Sequence, residues 1–270
     1  MHPSRSPIGV CQAAPGRCCF PGLDVGRSVV AVSSQHPPGS AHEPSAEIAG
    51  PQSIVDHLRG GAPDLHAFDW VDDSDANGYM FSAYCLTLMP QLTIAELVEL
   101  LPVSPTIVGE CDYPTLEDRG LDIFNASGGV GLLAVENGVV MFEPNGYVGV
   151  SPPVMGPVSA GRTAVSHYRG GHGVTNFHWY VNGEVATDFE PFQPSGRGGT
   201  HPDVLVPLMQ SIGGFALNPD DWAYGDDSWL DLPHDQAAFA LAEALTGIPI
   251  TLDLLRQSTY LSIHVPIPEA

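Results

Sequence analysis

The apolar positions of this chain follow two periods. Between residues 130 and 189 they form short β-prone runs separated by turn residues, and on either side of that block they recur at helical spacing. Leu132-Leu133-Ala134-Val135 and Val139-Val140-Met141-Phe142 flank Asn137-Gly138. Phe177-His178-Trp179-Tyr180-Val181 and Glu184-Val185-Ala186-Thr187 flank Asn182-Gly183. An Asn-Gly pair can hold both central residues at positive φ, as a type I′ turn requires, and that turn matches the twist of paired strands. The pattern predicts strands over 130–135, 139–142, 163–169, 174–181 and 184–189, with a last one over 259–265.

Helices are expected around this block. Tyr79, Phe81, Tyr84, Cys85, Leu86 and Leu88 can line one broad helical face, stopped by Pro90. Thr93-Ile94-Ala95-Glu96 is a capping box, followed by the helical face Ile94, Leu97, Val98 and Leu101. Residues 102–128 read as irregular. Glu143-Pro144-Asn145-Gly146-Tyr147 reads as a tight turn, and a Pro- and Gly-rich loop follows to Gly161. His201-Pro202-Asp203 opens a helix that Gly213 ends, and Asp235 opens another that Gly247 ends. The expected class is α+β: an antiparallel sheet of five to six strands built on the two Asn-Gly hairpins, with helices before and after it packing on one side.

The front of the chain differs in composition from the rest. Residues 1–60 hold eight Pro, seven Gly and eight Ser with almost no apolar periodicity, so they are expected to be a disordered extension. Residues 61–270 are expected to form a single acidic domain. The formal net charge is -22. Four acids (Asp24, Glu43, Glu47, Asp56) balance four arginines (Arg5, Arg17, Arg27, Arg59) in the front segment, so the whole excess lies in 61–270, and lysine is absent. Such a surface repels phosphate backbones and anionic membranes, which excludes nucleic-acid binding through a basic groove and membrane binding. An acidic mimic of DNA is a weaker reading of the same charge. No secretory signal is read at the N-terminus, and the five cysteines have no regular spacing. A reducing cytoplasm is the expected location.

The candidate chemistry lies on the second hairpin and at the turn after the first. Alternation along 174–181 places Thr175, Phe177, Trp179 and Val181 on one side and Asn176, His178 and Tyr180 on the other. Pairing of 163–169 with that strand is expected to bring His167 and Arg169 onto the polar side. A patch of His167, Arg169, Asn176, His178 and Tyr180 would suit an anion or a proton transfer. Glu143 is the most interesting single acid, at a strand end beside Asn145 of the tight turn. Asp73-Ser74-Asp75-Ala76-Asn77-Gly78 matches only the first half of a calcium loop, since its glutamate position is Tyr84. His167, His172 and His178 lack zinc spacing, so no metal and no cofactor is expected. No nucleophile elbow or phosphate loop is present. The expected function is a non-enzymatic binding or protein-interaction module with a protein partner or a small ligand. The alternative is a small hydrolase-like enzyme with its site at the Glu143 turn and the His167/His178 strand face.

Three motifs in a shared order carry a resemblance: Tyr84-Cys85-Leu86-Thr87, Glu143-Pro144-Asn145-Gly146-Tyr147 and Ala242-Glu243-Ala244-Leu245-Thr246-Gly247. Over residues 65–265 the chain resembles an uncharacterised actinobacterial family catalogued as domain of unknown function 6461. The resemblance implies a source group and a domain extent, and it supplies no role for any residue.

Overall fold

The computed structural model describes residues 49–58, 63–78, 80–120, 127–218 and 228–266. Its strands, in chain order, are β1 (Tyr84–Pro90), β2 (Thr106–Cys111), β3 (Ser127–Val135), β4 (Gly138–Pro144), β5 (Thr163–Arg169), β6 (Thr175–Val181), β7 (Glu184–Glu190), β8 (Gln193–Gly198) and β9 (Tyr260–Pro266). They form one sheet of nine strands in the order β2-β9-β3-β4-β1-β5-β6-β7-β8. Every pairing is antiparallel. The α+β antiparallel class is as expected, but the count exceeds five to six, because β1, β2 and β8 were not read as strands.

Each has a physical reason. β1 is the central strand, and all but its last residue are buried, so both of its faces are apolar. A run that is apolar on both sides loses the period-two signature and is easily read as a helical face. β2 and β8 are edge strands. β2 carries a bulge between Ile107 and Gly109, and β8 is built from Gln-Pro-Ser-Gly-Arg-Gly. Bulges, Pro and Gly are how sheet edges are kept from pairing with other chains, and they erase β-propensity in the process.

The two Asn-Gly hairpins close differently. In the β6–β7 hairpin Val181 pairs with Glu184, and Asn182 and Gly183 have φ of 52° and 87°. That is the expected type I′ geometry. In the β3–β4 hairpin Val135 pairs with Gly138, so the central residues are Glu136 and Asn137, and Asn137 is not in the left-handed region. The glycine there is needed for room: a Cβ at Gly138 would stand 2.2 Å from the Met89 carbonyl oxygen on β1.

Helices lie on both faces of the sheet, in contrast to the one-sided layer expected. On one face α4 (Tyr113–Gly120), α6 (Val206–Ile212), α7 (His234–Thr246) and a 3-10 turn, Leu65–Val71, cover Leu86, Leu88, Phe142, Phe177 and Trp179. Alanines at 237, 238, 240 and 242 let α7 lie close to the sheet, with Phe239 meeting the rings of Tyr84 and His167. Each fully buried phenylalanine here is worth roughly 1.5–3 kcal/mol relative to exposure. On the other face α3 (Ile94–Leu100) and α5 (Pro152–Ser159) cover Met89, Val139, Met141, Ala164 and Tyr180. The capping box that starts α3 is present, with Thr93 and Glu96 bonded reciprocally. α5 occupies a stretch read as loop; Pro sits in its first turn, where no amide is needed, and Val154, Met155 and Val158 form its buried side. α1 (Pro51–His57) lies inside the stretch read as an extension without structure, and Ile54, Val55 and Leu58 pack on the core. Ordered structure therefore begins before residue 61. α2 (Ser74–Asn77) and α8 (Leu252–Gln257) complete the helices of the described residues. The acidic stretch Asp220-Asp221 to Asp226-Asp227, with Trp222 and Tyr224, lies outside the described residues, as do 1–48.

The two turns give different mutational expectations. Asn182→Ala places a Cβ-bearing residue without Asn's local hydrogen bonding at positive φ and costs about 1 kcal/mol. Asn137→Ala costs clearly less. Urea unfolding of the two variants tests this, and equal losses would contradict the different turn geometries.

Candidate functional site

On the α7 face, side chains from β1, β5, α7 and the segment after the 3-10 turn form one polar chain. Tyr84 pairs with Arg169 and Leu86 with His167 in the β1–β5 register, so Tyr84, His167 and Arg169 project to the same side. The Tyr84 hydroxyl is 2.9 Å from His167 Nδ1, and His167 Nε2 is 3.5 Å from Asp235 Oδ1. Arg169 Nη1 donates to Asp235 Oδ2, and the same atom lies 3.7 Å from Asp72 Oδ1. Gln236, next on α7, also donates to Asp72.

Burial sets the protonation states. His167 is buried to 1% exposure, which, together with the Arg169 charge, pushes its pKa down to about 3 and leaves the ring neutral. The ring proton belongs on Nε2, facing the Asp235 carboxylate, so Tyr84 donates to Nδ1. Burial, then Asp235, holds the Tyr84 phenol well above its ordinary value, so it keeps its proton. Burial also raises the carboxyl of Asp235, opposed by Arg169 and His234. At 3.5 Å the His167–Asp235 contact is an electrostatic approach to a neutral ring, and neither atom has a hydrogen-bond partner among the described residues. Tyr84 and His167 are sealed from solvent, whereas Arg169 and Asp72 are 29% and 48% exposed. The chain's physical effect is to hold Arg169 in place at the surface. Removing Asp235 would leave Arg169 only the longer contact to Asp72.

The expected single patch is divided between the two faces. His167 pairs with Phe177 and Arg169 with Thr175, so both lie on the aromatic side of β6, while Asn176, His178 and Tyr180 point the other way with Tyr168 and Ser166. The reading failed because the register is set one residue away from the one assumed, and a one-residue slip reverses every side chain. His178 Nδ1 is 3.0 Å from the Tyr180 hydroxyl, and burial lowers the His178 pKa against the pull of Asp188. Tyr180 is fully buried beneath the α5 layer, whereas Asn176 and His178 are half-buried.

Glu143 also lies on that second face, fully buried, and its carboxylate accepts the amides of Val148 (2.7 Å) and Gly149 (2.9 Å). It clamps the turn that follows it. Asn145 serves the same turn at φ 57°, its amide donating to the Ala83 carbonyl. Glu143 and His167 sit on opposite faces, with β1 between β4 and β5. His178 shares the face of Glu143 but is three strands away, roughly 14 Å at ordinary strand spacing. A hydrolase-like site requires a base within one water of its proton, and this geometry does not bring these groups together. Asp72, Tyr84 and Asp235, the partners that matter to Arg169, were missed. Asp72 was visible only as one acid in a cluster, Asp235 as a helix start, and Tyr84 as an apolar position.

A model of the Family of unknown function (DUF6461) matches residues 47–269. The chain belongs to this family. No curated protein and no solved structure matches it. The match covers both polar clusters and includes α1, and it assigns no residue a role.

Two kinds of hollow flank these clusters. A cavity of about 580 Å³ lies at the far end of the sheet between the β3–β4 turn, the start of α3 and the end of α7, and it holds none of the groups above. A smaller one of about 120 Å³ opens beside Arg169, lined also by Val71, Asp72, Ser74, Asn77, Phe81 and Ser82. The Asp73 carboxylate nearby accepts the amides of Asp75 and Ala76 as the cap of α2, which accounts for the half-motif of a calcium loop. No group of three or more metal-ligating side chains occurs among the described residues.

Glu143 has a distinct pH signature. Burial raises its pKa from 4.5 to about 7, against the opposing pull of the two amides. Below pH 4.5 both folded and unfolded chains hold this proton, and its contribution is fully present. From pH 4.5 to 7 the unfolded chain releases the proton while the fold retains it, so stability falls as pH rises, and above 7 the loss is complete. The stability difference between wild type and Glu143→Gln should therefore shrink across that window and level off on either side. Urea midpoints at fixed ionic strength measure it; a difference that is flat throughout would show that Glu143 is ionised in the fold from the start.

Proposed function

We propose that this domain is a non-enzymatic binding module whose recognition point is the surface end of the Tyr84–His167–Asp235–Arg169 chain. One observation supports it above others: Glu143 and His167 are enclosed, whereas the Arg169 and Asp72 side chains reach solvent beside a small cavity. Glu143 is bound by two amides, and His167 is held by Tyr84. Arg169 and Asp72 instead face the cavity with Ser74 and Ser82. A buried series that fixes the partly buried Arg169, and through it the exposed Asp72, is an orienting device, and pre-set orientation lowers the cost of binding. Of the residues first singled out, Arg169 is assigned to the wall of the site, where it positions Asp72, and His167 to hold Arg169 through Asp235. Glu143, Asn145 and Tyr180 maintain the other layer, with Asn176 and His178 at its half-buried margin.

The location proposed is the cytoplasm, where the unpaired thiols of Cys85 and Cys111 stay reduced. The described helices include none long and apolar enough to cross a membrane.

The test is a titration of isotope-labelled protein with small metabolites pooled by charge class. Resonances of Asp72, Ser82 and Arg169 are expected to move before any on the Glu143 face. The reading is lost if the purified chain turns over an ester, amide, phosphate or glycoside substrate and either Tyr84→Phe or Glu143→Gln removes that turnover.

A further inference from the structure

We infer that the cavity bounded by Asp72, Asn77 and Ser82 takes an organic cation, the guanidinium or alkylammonium head of a small molecule or of a partner's side chain. This rests on the binding-module reading and names the ligand class for the same site. Three independent observations carry it. The first is an uncommitted acceptor. Asn77 is 3% exposed, and its Nδ2 donates to the carbonyls of both Trp70 and Val71, which fixes the orientation of the amide. Its Oδ1 is then left without a hydrogen-bond partner among the described residues, on a side chain that lines the cavity. A buried acceptor in that state is costly, and a ligand that brings an N–H relieves it.

The second is the local charge. Asp72 and Asp235 share the one guanidinium of Arg169, so the carboxyl groups outnumber the arginine they pair with. Asp73 and Asp75 stand on the adjoining turn, exposed, while Arg256 is bound to the Ala76 carbonyl and does not line the cavity. Consistent with this surplus, burial and then Asp235 raise the carboxyl of Asp72 despite Arg169. An anion would meet Asp72 directly, so the site favours a cation even though a guanidinium stands in its wall. The third is size and lining. About 120 Å³ is the share of some four waters at ~30 Å³ each, enough for a planar guanidinium or an ammonium head. Drug-sized ligands need at least ~300 Å³. Phe81, packed among other rings, closes the apolar side of the cavity, and Ser74 and Ser82 supply hydroxyls that can accept further N–H groups.

The experiment uses the full labelled chain and follows the Asn77 side-chain amide and the Ser82 backbone amide. The probes are methylguanidinium, neutral N-methylurea and anionic methylphosphonate. Saturable shifts are expected with methylguanidinium and none with N-methylurea. Asp72→Asn, at a half-exposed position, weakens the response about tenfold through loss of a charge-assisted hydrogen bond. Ser82→Tyr, at an exposed position, fills the cavity and abolishes the shifts while leaving the unfolding midpoint near that of wild type. Blocked Gly-Arg-Gly is then set against its citrulline counterpart. Tighter saturation by the arginine peptide than by methylguanidinium assigns the site to a partner's side chain, and the reverse order assigns it to a free cation. Equal responses to methylguanidinium and N-methylurea, or a methylguanidinium response untouched by both variants, overturn the inference. Shifts with methylphosphonate alone overturn it too, but leave the binding-module reading standing; silence in every arm removes both.

Discussion

β1 is buried on both sides, and the placement of every polar group follows from that. Its odd and even residues are divided between two separate apolar layers. Tyr84 and Leu86 enter the layer under α7, while Cys85 and Thr87 enter the layer under α5 and the 148–150 turn. A backbone in this position has no solvent on either side, so each polar side chain it carries must find a partner inside the protein. Tyr84 finds His167 and Thr87 finds Ser166, both on the neighbouring β5. The central strand thus generates two buried polar clusters that cannot communicate through side chains, because the sheet itself separates them.

The two clusters solve the burial problem differently. On the α5 side a carboxylate, Glu143, is offset by backbone amides, and the loop is drawn so close that a Cβ at Gly149 would stand 2.0 Å from Thr87 Oγ1 and one at Gly146 would stand 2.5 Å from Glu143 Oε2. That packing leaves no gap between the loop and the Glu143 and Thr87 side chains. On the α7 side the charges are offset by one another across three elements, and the last members of the series emerge at the surface. Asp72 and Arg169 are separated by 3.7 Å, a loose contact for a pair that also borders a cavity. The tight cluster supports the fold, and the loose one is where binding can be accommodated at little cost in packing.

The acidic composition gains a local meaning at this point. A net charge of -22 read as a whole says only that anionic partners are disfavoured. At Asp72, Asp73 and Asp75 it gives the field a direction, toward a position where a hydrogen-bond acceptor already lacks a donor.

By itself the sequence determined the local devices. The Asn182-Gly183 turn, the Thr93/Glu96 capping box, the glycine that ends α7 and the alternation along β6 are encoded within a few residues, where backbone sterics and near-neighbour hydrogen bonds decide the outcome. Glu143 was also legible as an unusual acid, because its setting is a turn of five contiguous residues. Tertiary structure alone decided that 84–90 is a central strand, since burial on both faces removes the periodic signal that tells strand from helix. It decided the β5–β6 register, and with it the division of His167 and Arg169 from Asn176 and His178, since one residue of slip exchanges the faces. It also brought Asp72, Tyr84, His167, Arg169 and Asp235 together across more than 160 positions, because such contacts follow from how layers pack and leave no trace in residue spacing.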